Sequence, residues 1–289
     1  MKHIRHFLAS ILALAFLFPT LVACSPNNPS AELDSSTGVE DSIVEDIDSS
    51  VLESPEQPEP PENSSAEPEE DSSAEPEPQT AQYLRITGDS VNLRSGAGTK
   101  YAVIGSGKKG ETYALIGKQG SWYETYYRGK KVYVSASYVA LTSFGKKTDK
   151  DVEKVLSEGY KLLGVPYVYG AVRVHNGNGK LLSGFTAQKF DCSSLVQYVF
   201  YKGTKTLLQV NTRTQVVQGK YVSRNNLQRG DCLFFTNSSR EHLTGIDRIG
   251  HVAIYLGDNY ILHTASDYAR IEKISASRWK QFVEARRFI

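Results

Sequence analysis

The sequence predicts an α+β protein in which a small all-β barrel precedes a larger domain of helices and sheet. Three observations lead there. Between residues 82 and 142, short β-prone runs recur and are broken by Gly. After Asp151, and again after Asp191, apolar residues fall at helical spacing. Between Gly250 and His263, two apolar runs flank a Gly-Asp-Asn turn. A chain of 289 residues has room for about two such domains.

Two segments of another kind precede them. Lys2 and Arg5 stand before an apolar run from Phe7 to Phe18, followed by Leu21-Val22-Ala23-Cys24. A basic start, an apolar stretch and a small residue before a cut follow the logic of a secretory signal, here residues 1–23. The alternative is an uncleaved membrane helix, but the run is short for a span, which needs ~20 apolar residues. Residues 24–81 are rich in Ser, Pro and Glu. From Ser25 to Ala81 there are 17 acidic residues and no Lys or Arg. Such a segment buries too little to offset its chain entropy and is expected to be disordered. It reads as a spacer of roughly 40 Å, or as an acidic strap that folds back on the rest. From Gln82 to Ile289 there are 31 basic and 15 acidic residues, an excess of 16 positive charges. That tilt suggests an anionic partner, or simply a mixed, basic surface.

Within 82–142, Val91-Asn92-Leu93-Arg94-Ser95-Gly96-Ala97-Gly98 leads into a strand from Tyr101 to Gly105. Further strands are expected at Thr112–Ile116, Trp122–Tyr127 and Lys131–Val134, with Gly129-Lys130 at a turn. Strands and turns spaced this closely suggest a small barrel. Trp122, Tyr123, Tyr126, Tyr127 and Tyr133 either face a sugar or peptide or fill the small core. Residues 143–149 form a spacer. A helix near Asp151–Leu163 follows and is stopped by Gly164-Val165-Pro166.

The chemistry concentrates further on. Phe190-Asp191-Cys192-Ser193-Ser194 reads as a helix start with Asp191 as N-cap. Cys192 then lies in the first turn, where unpaired N–H groups and the helix dipole favour thiolate, the nucleophilic form. Cys232 lies in an apolar strand and reads as a buried small hydrophobe. Three cysteines, Cys24 among them, are too few for a disulfide framework. A Cys192–Cys232 bridge would remove the reactive thiol. With the hairpin turn centred at Gly257–Asp258, His251 pairs across near His263, with Cβ atoms about 5 Å apart. One imidazole takes the thiol proton and the other bonds its far nitrogen, the nucleophile, base and orienter of acyl transfer. A metal held by the same three residues is the rival, without close Cys or His spacing to support it. His175 and His242 read as surface residues.

Residues 150–289 resemble the NlpC family of papain-like cell-wall cysteine peptidases. The resemblance is carried by Gly164-Val165-Pro166-Tyr167-Val168-Tyr169-Gly170, Phe190-Asp191-Cys192-Ser193, Arg229-Gly230-Asp231, Gly250-His251-Val252-Ala253 and His263-Thr264-Ala265-Ser266, in the family's order. It implies an antiparallel sheet packed on helices, with Cys192 on a helix, His251 on the sheet and His263 as the third polar member. It also implies that Tyr167 bonds near the oxyanion and that Asp191 and Ser193 contact the free amino end of a stem peptide. The plainer readings are packing for Tyr167, helix capping for Asp191 and a backbone bond for Ser193. Ala171 and Ser194 stand where Gly is usual, and insertions at 171–189 and 236–249 are placed to wall the groove. Residues 82–142 resemble a bacterial SH3-like domain through Asn92-Leu93-Arg94-Ser95-Gly96-Ala97-Gly98, Trp122-Tyr123 and Val132-Tyr133-Val134. Leu21-Val22-Ala23-Cys24 resembles a bacterial lipobox, which makes Cys24 the lipidated first residue of the mature chain.

Together the resemblances imply an exported, lipid-anchored peptidoglycan hydrolase facing the cell wall. It cuts stem peptides at the bond between γ-D-glutamyl and a diamino acid, with no metal or cofactor. Anionic cell-wall polymers are candidate partners and nucleic acid is not. The rivals are an amidase or acyltransferase of the same fold, and a non-catalytic wall-binding lipoprotein.

Overall fold

A computed structural model describes residues 79–289. The expected signal at 1–23, Cys24 and the acidic segment up to residue 78 lie outside the described residues.

The first eight strands are β1 (Thr80–Ile86), β2 (Ser90–Arg94), β3 (Val103–Lys108), β4 (Thr112–Ala114), β5 (Gly117–Gln119), β6 (Trp122–Tyr127), β7 (Lys130–Ser135) and β8 (Val139–Lys146). In β2 and β7, buried Val91, Leu93, Val132 and Val134 alternate with more exposed neighbours, the period of a half-buried strand. The turn between β6 and β7 is made by Arg128 and Gly129, both with positive φ. It falls one residue earlier than Gly129-Lys130, because a two-residue turn of that hand matches the twist of the strands.

The expected barrel is not closed. β3-β2-β7-β6-β5 form one sheet, while β8-β1-β4 pair separately and continue into the sheet of the C-terminal domain. Thr112 of β4 pairs with Ile271 across that seam. An unpaired strand edge leaves N–H and C=O groups without partners, and here a neighbouring domain supplies them.

The larger domain opens with α1 (Lys150–Lys161), whose N-cap Asp149 accepts the Asp151 N–H at 2.6 Å. Then come α2 (Cys192–Thr204), α3 (Thr212–Gln215), β9 (Lys220–Val222), β10 (Cys232–Phe235), β11 (His251–Gly257), β12 (Tyr260–Ala265), β13 (Tyr268–Lys273), α4 (Ala276–Lys280) and β14 (Phe282–Arg287). The strands run β13-β12-β11-β10-β14-β9, each neighbouring pair antiparallel. Leu195, Val196, Val199 and Phe200 of α2 share the main core with Val252, Ile254, Leu256 and Leu262. By strand alternation the other face holds a smaller core around Leu233, Phe235, Ala253 and Ile261.

Arg229 fastens the two domains. Its buried guanidinium donates to Glu153 of α1 at 2.6 and 3.1 Å and to the Tyr160 hydroxyl at 2.8 Å. It also donates to Tyr83 of β1 at 2.9 Å and to the Leu256 carbonyl of β11 at 2.8 Å. Phe144 of β8 stacks between Tyr83 and Tyr260, with ring centroids 3.8 Å from each. Gly145 (φ 70°) and Gly257 (φ 96°) touch, and a Cβ on Gly145 would fall 1.8 Å from the Leu256 carbonyl oxygen.

Candidate active site

Cys192 is the first residue of α2 because Asp191 stops the extended backbone and caps the helix. The Asp191 carboxylate accepts the Ser194 N–H at 2.8 Å, and the Ser194 hydroxyl accepts the Asp191 N–H at 2.9 Å. Ser194 therefore completes a capping box, a contact that Gly cannot make. Backbone N–H groups of Val252 and Ser193 serve the Cys192 sulfur. Burial pushes its thiol up to about 11 and the Asp191 charge adds to this, against a smaller pull from those N–H groups and Arg173. The helix start was expected to favour thiolate. Burial outweighs it, so at neutral pH the group at rest is a thiol.

His251 opens β11, and its Nε2 lies 2.9 Å from Nδ1 of His263, the rings meeting edge to face. The register differs from the expected one. Asp258 and Asn259 form the turn, both with positive φ, and an irregularity between Tyr255 and Gly257 shifts the pairing. Tyr255 faces Ile261 and Ile254 faces Leu262. Continuing that count sets His263 opposite Ala253, so the two imidazoles meet diagonally, within reach of side chains of that length. Burial holds His251 well below the usual histidine value, and His263 and Arg278 lower it further. Burial lowers His263 as well, against the opposing pull of Glu272. Cys192 has no hydrogen bond to His251; its sulfur meets β11 at Val252, the next residue. Hydrogen bonds between catalytic groups are often long before substrate binds.

The thiol opens into a cleft of about 430 Å³. Tyr167, Gly170, Asp191 and Ser193 line it on one side, and Thr212 and Arg213 of α3 on another. Arg173 from the insertion at 171–189 and Arg240 from that at 236–249 complete the wall. The Tyr167 N–H donates to the Asp267 carbonyl at 2.9 Å, which seats the residue beside the thiol. Burial raises its hydroxyl, with further contributions from Cys192 and Asp191.

Asp191 and Ser193 are already engaged. Arg173 Nη2 lies 2.8 Å from Asp191 Oδ2 and donates to the Ser193 hydroxyl at 3.0 Å. Arg173 is held in turn by the carbonyls of Val210 and Ala171. The buried Gln215 amide donates to the Ser193 carbonyl at 3.0 Å and fixes α3 against α2. Sequence reasoning missed Arg173, Gln215 and Glu272, since none lies in a motif. The available signal for Glu272 was the alternation Arg270-Ile271-Glu272, two charged residues on one face of the strand after His263.

His175 is not a surface residue but fully buried. The loop folds inward so that its Nδ1 accepts the Gly177 N–H at 3.0 Å and its ring packs edge-on against Tyr201. His242 is exposed. Tyr123, Tyr126 and Tyr127 pack against the core, whereas Trp122 lines a separate cleft of about 310 Å³ with Asn92, Arg94 and Tyr138. Cys232 is buried and, like Cys192, a free thiol. Among the described residues no cluster of three His, Cys, Asp or Glu side chains is placed to hold a metal ion.

Cys192, His251 and His263 all fall within the stretch that one family model matches. Residues 164–287 match the NlpC/P60 family. The chain carries an NlpC/P60 domain. Residues 89–140 ahead of it match the bacterial SH3 domain. The NlpC/P60 region makes the chain 30% identical over 152 residues to a Bacillus subtilis protein named gamma-DL-glutamyl hydrolase, covering 52% of this chain and 32% of the relative. It is 36% identical over 110 residues to the Escherichia coli murein DD-endopeptidase MepS/murein LD-carboxypeptidase, covering 37% and 54% respectively. A solved NLP/P60 family structure from Staphylococcus aureus, similar to a lipoprotein, is 28% identical at a TM-score of 0.40, covering 53% of this chain and 46% of that one. The chain thus spans about a third to a half of the length of these relatives.

Proposed function

We propose that the protein is a cysteine peptidase of the bacterial cell wall that cleaves peptidoglycan stem peptides. One observation carries the reading: a first-turn cysteine opens into a cleft beside strand β11, whose first residue is half of a coupled imidazole pair. Cys192 attacks the amide carbonyl while its proton passes to His251. Because both groups are neutral at rest, transfer and attack proceed together. His263 holds His251 in place. The Cys192 N–H and the Tyr167 hydroxyl stabilise the oxyanion. Collapse breaks the C–N bond, His251 protonates the leaving amine, and water then releases the acid from sulfur.

The bond cut is that between γ-D-glutamyl and the diamino acid, a reading supported by the hydrolase and endopeptidase names of the relatives. The cleft fits an anionic peptide, since Arg173, Arg213 and Arg240 line it against one acidic residue, Asp191. The protein is exported and anchored by lipid on Cys24, so that it works at the wall.

Purified peptidoglycan incubated with the wild-type chain should release fragments with new termini at that bond, read by mass spectrometry. Cys192→Ala should abolish release while the protein still pellets with the wall. Hydrolysis that survives Cys192→Ala removes the nucleophile assignment. Cleavage at the sugar–peptide amide instead would make the protein an amidase of the same fold.

A further inference from the structure

We propose that Glu272 is a positioning residue that sets the tautomers of both imidazoles and leaves Nδ1 of His251 unprotonated toward the thiol. The inference rests on reading Cys192 and His251 as nucleophile and base, and it deepens that site by a fourth member.

The chain of contacts is continuous. Nε2 of His251 is 2.9 Å from Nδ1 of His263, and Nε2 of His263 is 3.1 Å from Oε1 of Glu272. The last contact lies off the ideal N–H axis, and no other acceptor reaches that buried nitrogen. The register explains the meeting: His263 faces Arg270, and Glu272 lies two residues further along the same face of β13.

A carboxylate accepts hydrogen bonds and donates none, so Nε2 of His263 carries the proton. A neutral imidazole has one N–H, so Nδ1 of His263 is the acceptor and Nε2 of His251 must donate to it. The remaining nitrogen of His251, Nδ1, then holds a lone pair. Were Glu272 uncharged, the opposite chain would be equally open, with the proton of His251 on the side that must receive one.

Two observations keep the direction fixed. Burial holds both histidines neutral near pH 7. Glu272 stays ionised: burial alone would raise it, but the bond from His263 and the charges of Arg278 and Arg270 more than reverse this. Arg270 Nε is 2.9 Å from Oε2, and Arg278 Nη2 is 3.3 Å from Oε1. Arg270 also meets Asp267 at 3.6 Å, and Arg278 lies over the Phe235 ring. No other charged contact to Glu272 is found among the described residues.

The test reads tautomers directly. Nitrogen-15 NMR of the histidines in the full chain should show a bare Nδ1 on His251 and a protonated Nε2 on His263. Glu272→Gln should shift His251 toward the Nδ1–H form, and Glu272→Asp should restore the original form in part. On peptidoglycan fragments, Glu272→Gln should lower kcat about 100-fold with KM nearly unchanged, less than the ~10⁴-fold loss when a carboxylate touching the base is removed. A wild-type His251 protonated at Nδ1, or tautomers unmoved in a folded Glu272→Gln protein, overturns the proposal. The spectra taken on Cys192→Ala protein do not depend on activity. If they match expectation while Cys192→Ala still hydrolyses peptidoglycan, the nucleophile reading fails and the role of Glu272 stands.

Discussion

Arg173 changes what Asp191 offers to a ligand. The carboxylate accepts from Ser194, Ser193 and Gly170 and carries an ion pair at 2.8 Å to a guanidinium that is itself pinned by two carbonyls. A substrate ammonium arriving there meets a carboxylate whose charge is already offset. On the proposed function, acetylating the amino end of a stem peptide should therefore change wild-type kcat/KM by no more than about threefold. Arg173→Ala should create a preference for the free amine of about tenfold, or ~1.4 kcal/mol, the scale of one charged hydrogen bond. A wild-type enzyme that already demands the free amine contradicts this. Nothing local in the sequence announced the contact, because Arg173 lies in an insertion eighteen residues before Asp191 and the two meet only when the loop folds back.

At the scale of elements, the antiparallel β11–β12–β13 unit carries the half-buried His251, the fully buried His263 and the Glu272 carboxylate beside His263. Its pH response follows from the direction in which burial moves them. Both imidazoles are held below the ordinary value of about 6.5, so as pH falls the unfolded chain takes up protons that the folded chain refuses. The stability they contribute is complete above about pH 6.5 and declines below it. His175, also lowered by burial, acts in the same sense. Thermal denaturation followed from pH 7.5 to 5 should show Tm falling. His263→Asn should flatten the slope, since each tenfold difference in proton affinity between folded and unfolded chain is worth about 1.4 kcal/mol. A Tm independent of pH over that range would contradict the neutral state of the pair. The capped start of α2 was legible in Asp191-Cys192-Ser193-Ser194, since capping is decided within one turn. The exact meeting of His251 with His263 was not, because one irregularity at Tyr255–Gly257 moves the register.

For the whole described region, the SH3 strands and the NlpC/P60 sheet make one body. β4 continues into β13, Arg229 bridges β1, α1 and β11, and residues 79–289 fall within a single compact unit. Calorimetry should show one cooperative transition rather than one for each domain. Arg229→Met should lower stability by about 2–3 kcal/mol, somewhat under the loss for a fully buried pair because Glu153 keeps contact with water. Two separable transitions in the wild-type protein would show that the seam does not couple the domains.

The sequence by itself determined the order of domains, the helix that presents Cys192 and the hairpin that bears both histidines. Each of these is written in local periodicity, capping and turn chemistry, which act over a few residues. Only the tertiary structure decided that the barrel stays open, that burial keeps Cys192 a thiol, that His175 is interior, and that Arg173 meets Asp191 and Glu272 meets His263. These depend on which surfaces meet and on how much water their meeting removes. Residues far apart in the chain set both, and no short stretch of sequence records them.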